Sequence, residues 1–486
     1  MRKNLKNLSS AIRDVFPPGA SGSWGLALVL LVSFAAAPIV FASGGATGGH
    51  EEGNSLTHLM AKLMLQLSVI MFAAKIGGEL CERYLKQPGV LGELVIGMVI
   101  GPFALGGMIP TPGMHEALFH ASGEGPVPVS VELYAIAQLA AVLLLFMAGL
   151  ETDLKKFLRY AGPATFIALG GVILPFFLGV WGTILAGHTD NWLNPEALFV
   201  GAIMTATSVG ITARVLSDIG KIETTEGVVI LAGAVVDDVL GIIILAIVVN
   251  IAAAGGGEVD GAKIGLIAAK AVGFWLLITG AAVLLAKRIE KIITWFRSAG
   301  ATMVLAVGLC LFAAAIAELA GGLAMIIGAY SMGLGLSSTE VKHYLEEKIE
   351  SAYQLLVPVF FVVMGMLVDF RAMEGAIAFG ALISFFAIIS KVVGCGLPAL
   401  LVNFNRVGAL RIGIGMLPRG EVALIVAGVG LSAGVVGQDV FGVAIMMTMV
   451  TTLIAPVILV PIFQRGGDGR RSIPAGESGG AAVREA

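Results

Sequence analysis

Five ionisable residues stand where an apolar chain should not carry them. Asp237 and Asp238 fall near the middle of the apolar run 227–252, Lys391 in 374–401, and Arg419 and Glu421 in 409–432. Such runs are long enough to cross roughly 30 Å of hydrocarbon, and a lone charge at the centre of a spanning helix costs about 2.5–3.5 kcal/mol on insertion scales. Five unrelieved penalties of that size are not tolerable, so the groups must largely neutralise one another. Three carboxylates against two cations leave one negative charge in surplus. A mid-membrane group in that state is a candidate site for one monovalent cation or one proton. A static salt-bridge network is the competing reading, but a fixed network has no use for an unpaired acid.

Spacing divides the labour. Neighbouring residues on a helix point about 100° apart, so Asp237 and Asp238 are not expected to serve the same partner. One can face Lys391 while the other faces the hydroxyl-rich stretch Met204-Thr-Ala-Thr-Ser-Val-Gly-Ile211. There Thr207 and Ser208, with any carbonyls freed around them, offer the oxygen ligands that a hard cation such as Na⁺ prefers. Lys391 lies about ten residues, or roughly 15 Å, from the inner end of its run, too deep to reach the headgroups comfortably. By contrast Lys62, Lys75, Glu93, Glu132, Lys270, Glu318 and Asp369, and less clearly Glu151, sit within a turn or two of a run's end and are expected to snorkel. His50, His58, His115, His120 and His188 fall in or beside outer loops, where solvation is the default and pH sensing or metal binding the exception.

The elements that must position these residues are membrane helices. The chain is 57% hydrophobic and only 13% charged, against roughly 25% charged in soluble domains. That excludes a soluble globular protein, a disordered chain and a nucleic-acid binder. About thirteen runs are long enough to span: 57–79, 90–109, 132–150, 161–187, 196–214, 227–252, 264–286, 301–318, 320–337, 352–369, 374–401, 409–432 and 440–463. Ahead of them, Arg2, Lys3, Lys6 and Arg13 precede an apolar stretch from Trp24 and the small residues Ala42 and Ser43. Residues 1–43 therefore read as a signal peptide or an extra N-terminal helix.

With the mature N-terminus outside, Lys and Arg collect in alternate loops, from Arg83 and Lys86 through Lys155, Lys156, Lys287 and Arg288 to Arg406, while the opposite loops hold only Lys263 and Arg371. This is the positive-inside bias, and it places the polar tail 464–486, expected to be disordered, in the cytoplasm. An odd number of spans suggests a six-plus-six inverted repeat around 264–286. The fifth helix of each half carries a candidate interruption, at 204–211 and at Gly415-Met-Leu-Pro-Arg-Gly-Glu421. Cys81, Cys310 and Cys395 are widely spaced and read as small buried hydrophobes.

Four segments in this order resemble the second cation:proton antiporter family, which includes bacterial sodium/proton antiporters and potassium efflux systems. They are Phe146-Met-Ala-Gly-Leu-Glu-Thr-Asp153, Thr205-Ala-Thr-Ser-Val-Gly-Ile-Thr212, Gly233-Ala-Val-Val-Asp-Asp-Val-Leu-Gly241 and Leu417-Pro-Arg-Gly-Glu-Val422. The resemblance covers essentially all of 57–463. It implies an all-α fold in which 161–252 and 374–463 form a core transport domain, 57–150 and 301–369 a dimerisation domain, and 264–286 a linker. It also implies that Asp238 is the main ion carboxylate, that Asp237 pairs with Lys391, that Arg419 and Glu421 tie the core together, and that exchange is electrogenic. Potassium efflux members carry a long nucleotide-binding domain. The chain runs only about twenty residues past its last span, too few for a domain, so ligand-gated efflux is not expected.

The expected function is secondary antiport, not enzymatic catalysis. A monovalent cation, Na⁺ first and Li⁺ or K⁺ as alternatives, is exchanged for protons across the cytoplasmic (inner) membrane of the cell, in the service of pH homeostasis, by a homodimer without cofactor. A channel or uniporter would use the same acids but show no proton counterflow. An intramembrane aspartyl protease needs two carboxylates converging on one water, which sequence neighbours diverging by about 100° do not provide. An organic-anion symporter wants a site richer in cations.

Overall fold

Chain that must satisfy its backbone in lipid forms helices, and the glycine-rich apolar runs do so. A computed structural model of the chain describes residues 56–471 apart from 112–116, 122–127, 255–260, 374–375 and 468; residues 1–43, and with them the choice between signal peptide and extra helix, lie outside the described residues. The described helices are α1 (Leu56–Leu80), α2 (Gly89–Ile100), α3 (Val131–Glu151), α4 (Leu154–Leu185), α5 (Pro195–Thr205), α6 (Val209–Asp218), α7 (Thr225–Ala254), α8 (Gly261–Trp295), α9 (Ala301–Ile316), α10 (Met325–Leu336), α11 (Lys342–Met366), α12 (Ile377–Leu401), α13 (Arg406–Gly415), α14 (Glu421–Ser432) and α15 (Gln438–Gln464). Among the described residues 11 helical segments are long and apolar enough to cross a membrane. Shorter apolar helices, Met325–Leu336 and Val422–Leu431, occupy the expected runs 320–337 and 409–432.

Two runs are broken at the places where the sequence weakens a helix. Between α5 and α6 residues 206–208 are extended, and between α13 and α14 residues 417–420 leave the helix after a turn at Met416. Pro418 supplies no N–H, and Gly420 adopts φ −150° and ψ −143° ahead of α14. On the other side the Ser208 side chain accepts from the Ile211 N–H and so caps α6. Asn194 caps α5 in the same way, with Pro195 in the first helical position.

The helices pack in two groups. In one, α4 lies against α12, α7 and α5, α12 against α13 and α15, and α14 against α5 and α15. In the other, α3 lies against α10 and α11, α2 against α1 and α11, and α10 against α8 and α9. The half-helix α6 touches α2 and α3 although its chain continues from α5. Contact between α4 and α12 is backbone on backbone: a Cβ built on Gly170 would stand 2.2 Å from the Gly394 carbonyl oxygen, and one on Gly394 2.6 Å from that of Gly170. Small residues permit such approach in membranes. One residue on, a Cβ at Gly171 would be 3.5 Å from Lys391 Nζ, so this contact also sets where the lysine lies. Gly170→Leu should overpack the seam and cost about 1–3 kcal/mol. The check is the thermal midpoint of purified protein; an unchanged midpoint would mean that the helices do not meet at Gly170.

The expected disorder of the tail does not begin at Gln464. Arg411 donates to the carbonyls of Gly466 (2.6 Å) and Gly467 (3.0 Å). Beyond them the Asn405 N–H donates to the Gly469 carbonyl (2.8 Å) and the Arg471 N–H to that of Asn403 (3.0 Å). Polar glycine-rich chain is held here because its carbonyls satisfy a buried guanidinium; residues 472–486 lie outside the described residues.

Candidate functional site

A broken helix leaves carbonyls without partners at one end of the gap and N–H groups without partners at the other. Here each gap satisfies the other. The Ser208 N–H donates to the Pro418 carbonyl (2.8 Å). Thr212 Oγ1 donates to the Gly415 carbonyl (2.8 Å) and Thr207 Oγ1 to that of Met416 (3.3 Å). In return Arg419 Nη1 donates to the carbonyls of Thr205 (3.4 Å) and Ala206, at the negative end of the α5 dipole. The Thr452 hydroxyl of α15 donates to the Arg419 carbonyl. The two interruptions expected from sequence thus cross in contact, and Thr205, Thr207, Ser208 and Arg419 are all buried there.

α7 packs against both α5 and α13 and brings the acids to this crossing. Lys391 Nζ donates to Asp237 Oδ1 at 2.8 Å, with both side chains at 0% exposure. Lys391 and Arg419 both act electrostatically on the Asp237 carboxylate. Asp237 Oδ2 is buried without a hydrogen-bond partner. Asp238, the next residue, is set about 100° around the helix from Asp237 and is 5% exposed. Beyond it every residue from Leu240 to Ile247 is partly exposed, whereas 228–239 are all buried. A Cβ on Gly241 would meet open space. Helix α7 therefore changes from buried to partly open after Val239, one residue beyond Asp238.

Of the expected site residues, Asp237 and Lys391 are brought into contact, and Thr207, Ser208 and Arg419 into one crossing. The Glu421 side chain lies outside the described residues. Arg419 spends its described hydrogen bonds on backbone, with Nε and Nη2 left without a hydrogen-bond partner.

Glu93 differs from expectation: it is 3% exposed rather than snorkelling, because α2 is packed between α1 and α11 and its first turns face protein. Glu151 is half-buried and accepts from Ser217 Oγ at 3.3 Å. Sequence reasoning passes over two ion pairs, Arg411–Glu226 (2.6 Å) and Arg214–Asp218 (2.9 Å). The second is an i,i+4 pair on α6 and was open to recognition by spacing. The first joins residues 185 apart in the chain and carries no local signal.

Known proteins resemble this chain in sequence and in fold. The family model described as sodium/hydrogen exchanger, transmembrane, matches residues 67–465. The Na(+)/H(+)-K(+) antiporter GerN of Bacillus cereus is 35% identical over 403 residues, covering 82% of this chain and 95% of GerN. The high-affinity Na(+)/H(+) antiporter NhaS3 of Synechocystis sp. is 34% identical over 425 residues, covering 84% of this chain and 91% of NhaS3. Among solved structures, the sodium proton antiporter MjNhaP1 from Methanocaldococcus jannaschii superposes with a TM-score of 0.62 at 19% identity, over 85% of this chain and 97% of the other. The match begins in α1, ends in the turn after α15 and takes in both crossing half-helix pairs, so the chain belongs to the sodium/hydrogen exchanger family of cation:proton antiporters.

Proposed function

We propose that this chain exchanges a monovalent cation for protons by letting the two compete for Asp238 while the surrounding helices alternate its access between the two sides of the membrane. The observation that carries the reading is the crossing of two interrupted helices beside a buried Asp237–Lys391 pair. Competition couples the fluxes without ATP, since one ion must leave the carboxylate before the other binds. Thr207 and Ser208 use a hydroxyl donor and a capping acceptor in their present contacts and keep oxygen lone pairs available as cation ligands. Na⁺ is the first candidate, with Li⁺ and K⁺ the alternatives; the name of the GerN relative favours testing K⁺. The partly exposed stretch 240–247 supports access to Asp238 along α7. Purified protein in liposomes is the test: addition of Na⁺, Li⁺ or K⁺ should drive proton flux, and cation flux without proton counterflow would replace antiport by a channel.

The packing groups support a division of labour in which 161–252 and 374–463 move as a core against a dimerisation domain of 57–150 and 301–369, with 264–286 as linker. The same reading takes the membrane part as thirteen spans in a six-plus-six inverted repeat, with the mature N-terminus outside, the C-terminus in the cytoplasm and a homodimer in the inner membrane. Impermeant maleimide labelling of Asp190→Cys and Arg470→Cys should report opposite sides. Labelling from the same side would refute the thirteen-span arrangement. The native cysteines are buried, which keeps the background low.

A further inference from the structure

Away from the crossing, three potential metal ligands from three segments converge at the other end of α5. His188 comes from the loop after α4, Glu196 from the first turn of α5, and Asp439 from the first turn of α15. One ligand atom from each lies within 4.8 Å of the other two. His188 Nδ1 is 3.0 Å from Glu196 Oε1, and the imidazole stacks on Phe379 of α12 with centroids 4.3 Å apart, which fixes the ring plane. We propose that His188, Glu196 and Asp439 form a binding site for a first-row divalent transition-metal ion such as Zn²⁺, Co²⁺ or Ni²⁺, distinct from the transported-cation site.

The geometry is close to what such an ion needs. Zn–N and Zn–O bonds of about 2.0–2.2 Å put the ligand atoms of a tetrahedral site roughly 3.3–3.6 Å apart. Donors already within 4.8 Å must therefore close by little more than an ångström, within reach of side chains at 26% and 28% exposure for His188 and Glu196. An acidic first turn has an ordinary use, since each helix presents about half a positive charge at its N-terminus. Here that use does not exhaust the acids: the ends of α5 and α15 supply roughly one positive charge against two carboxylates. No ion pair found among the described residues joins Glu196 or Asp439 to a lysine or arginine. A neutral imidazole with two carboxylates is the donor set of a divalent ion of intermediate softness; Na⁺ and Mg²⁺ prefer oxygen alone. Water would complete the coordination.

The molecule contains its own control. His343 Nδ1 lies 3.0 Å from Glu346 Oε2, the same pair at the same distance, but with no third ligand among the described residues. The experiment is isothermal titration of Zn²⁺ into the full-length protein in metal-free buffer, with Co²⁺ absorption as a second reading of coordination. Wild type and His343→Ala should share one tight site. In His188→Ala and in Asp439→Asn that site should weaken at least tenfold, and the Co²⁺ bands of a tetrahedral site should disappear. Either variant suffices if the other misfolds, and elution profile and melting point in chelator identify which is folded. Superimposable titrations for wild type and a folded His188→Ala or Asp439→Asn would overturn the proposal. So would equal loss in His343→Ala.

Discussion

Asp238→Asn should reduce cation-driven proton flux at least a hundredfold while leaving the protein folded and inserted. The acid is 5% exposed on α7, next in the chain to the Asp237 that Lys391 holds, and is the carboxylate on which the proposed competition turns. An amide has nearly the same shape, so packing is preserved, and removal of a buried charge lightens the desolvation load on the fold. The loss falls on the ion. A unit charge about 4 Å from a monovalent cation contributes about 4 kcal/mol at an effective dielectric of 20, which is close to a thousandfold in affinity. Threonine and serine oxygens and helix-end carbonyls cannot replace it, because they are neutral dipoles that carry no net negative charge. The proton loses its acceptor in the same step. The measurement is dye-reported proton flux in proteoliposomes as Na⁺, Li⁺ or K⁺ is added, beside circular dichroism and elution profile of the variant. Flux at the wild-type rate would remove Asp238 from the mechanism.

Why Asp237 and Asp238 were legible from sequence and Glu93 was not follows from how each is buried. A charge in the middle of a long apolar run has nowhere to go but into the protein, so Asp237, Asp238, Lys391 and Arg419 could be placed inside without any knowledge of tertiary packing. The two interruptions were legible for a similar reason: Pro418 and the hydroxyls of 205–208 act on the local backbone. Their reciprocal hydrogen bonds, such as Ser208 N–H to the Pro418 carbonyl, could not be read, since they join residues some two hundred positions apart. Glu93 stands a turn from the start of α2, where depth alone permits snorkelling; only the packing of α2 between α1 and α11 keeps it from the surface. The hydrogen-bonded residues Gly466, Gly467, Gly469 and Arg471 were illegible for the same cause. These glycines read as flexible chain until Arg411, buried against Glu226, is seen to take the carbonyls of Gly466 and Gly467, and the Asn405 N–H that of Gly469.

Neutralising Lys391 should uncouple exchange from membrane potential before it destroys exchange. The lysine is fully buried, and its ammonium is held at 2.8 Å by Asp237. If the pair is only a tie between α7 and α12, its charge stays constant through the cycle, and one proton moves for one cation at Asp238. If Lys391 releases its proton when a cation arrives at Asp238, two protons move per cation and each turnover carries one net charge. These cases separate by a large factor: moving one charge through 100 mV is worth about 2.3 kcal/mol, or close to fiftyfold in the cation gradient at equilibrium. Lys391→Gln alone leaves Asp237 buried without its cation, which costs about 3–5 kcal/mol in comparable pairs. The double change Lys391→Gln with Asp237→Asn removes both charges and keeps a folded protein to measure, and Asp237→Asn alone should behave like it. Liposomes clamped with a potassium diffusion potential give the readout. Wild type should accumulate cation in proportion to the imposed potential, and the variants should exchange with little response to it. Voltage dependence retained in all of them would make the pair a structural tie and assign the second proton to a group other than Lys391.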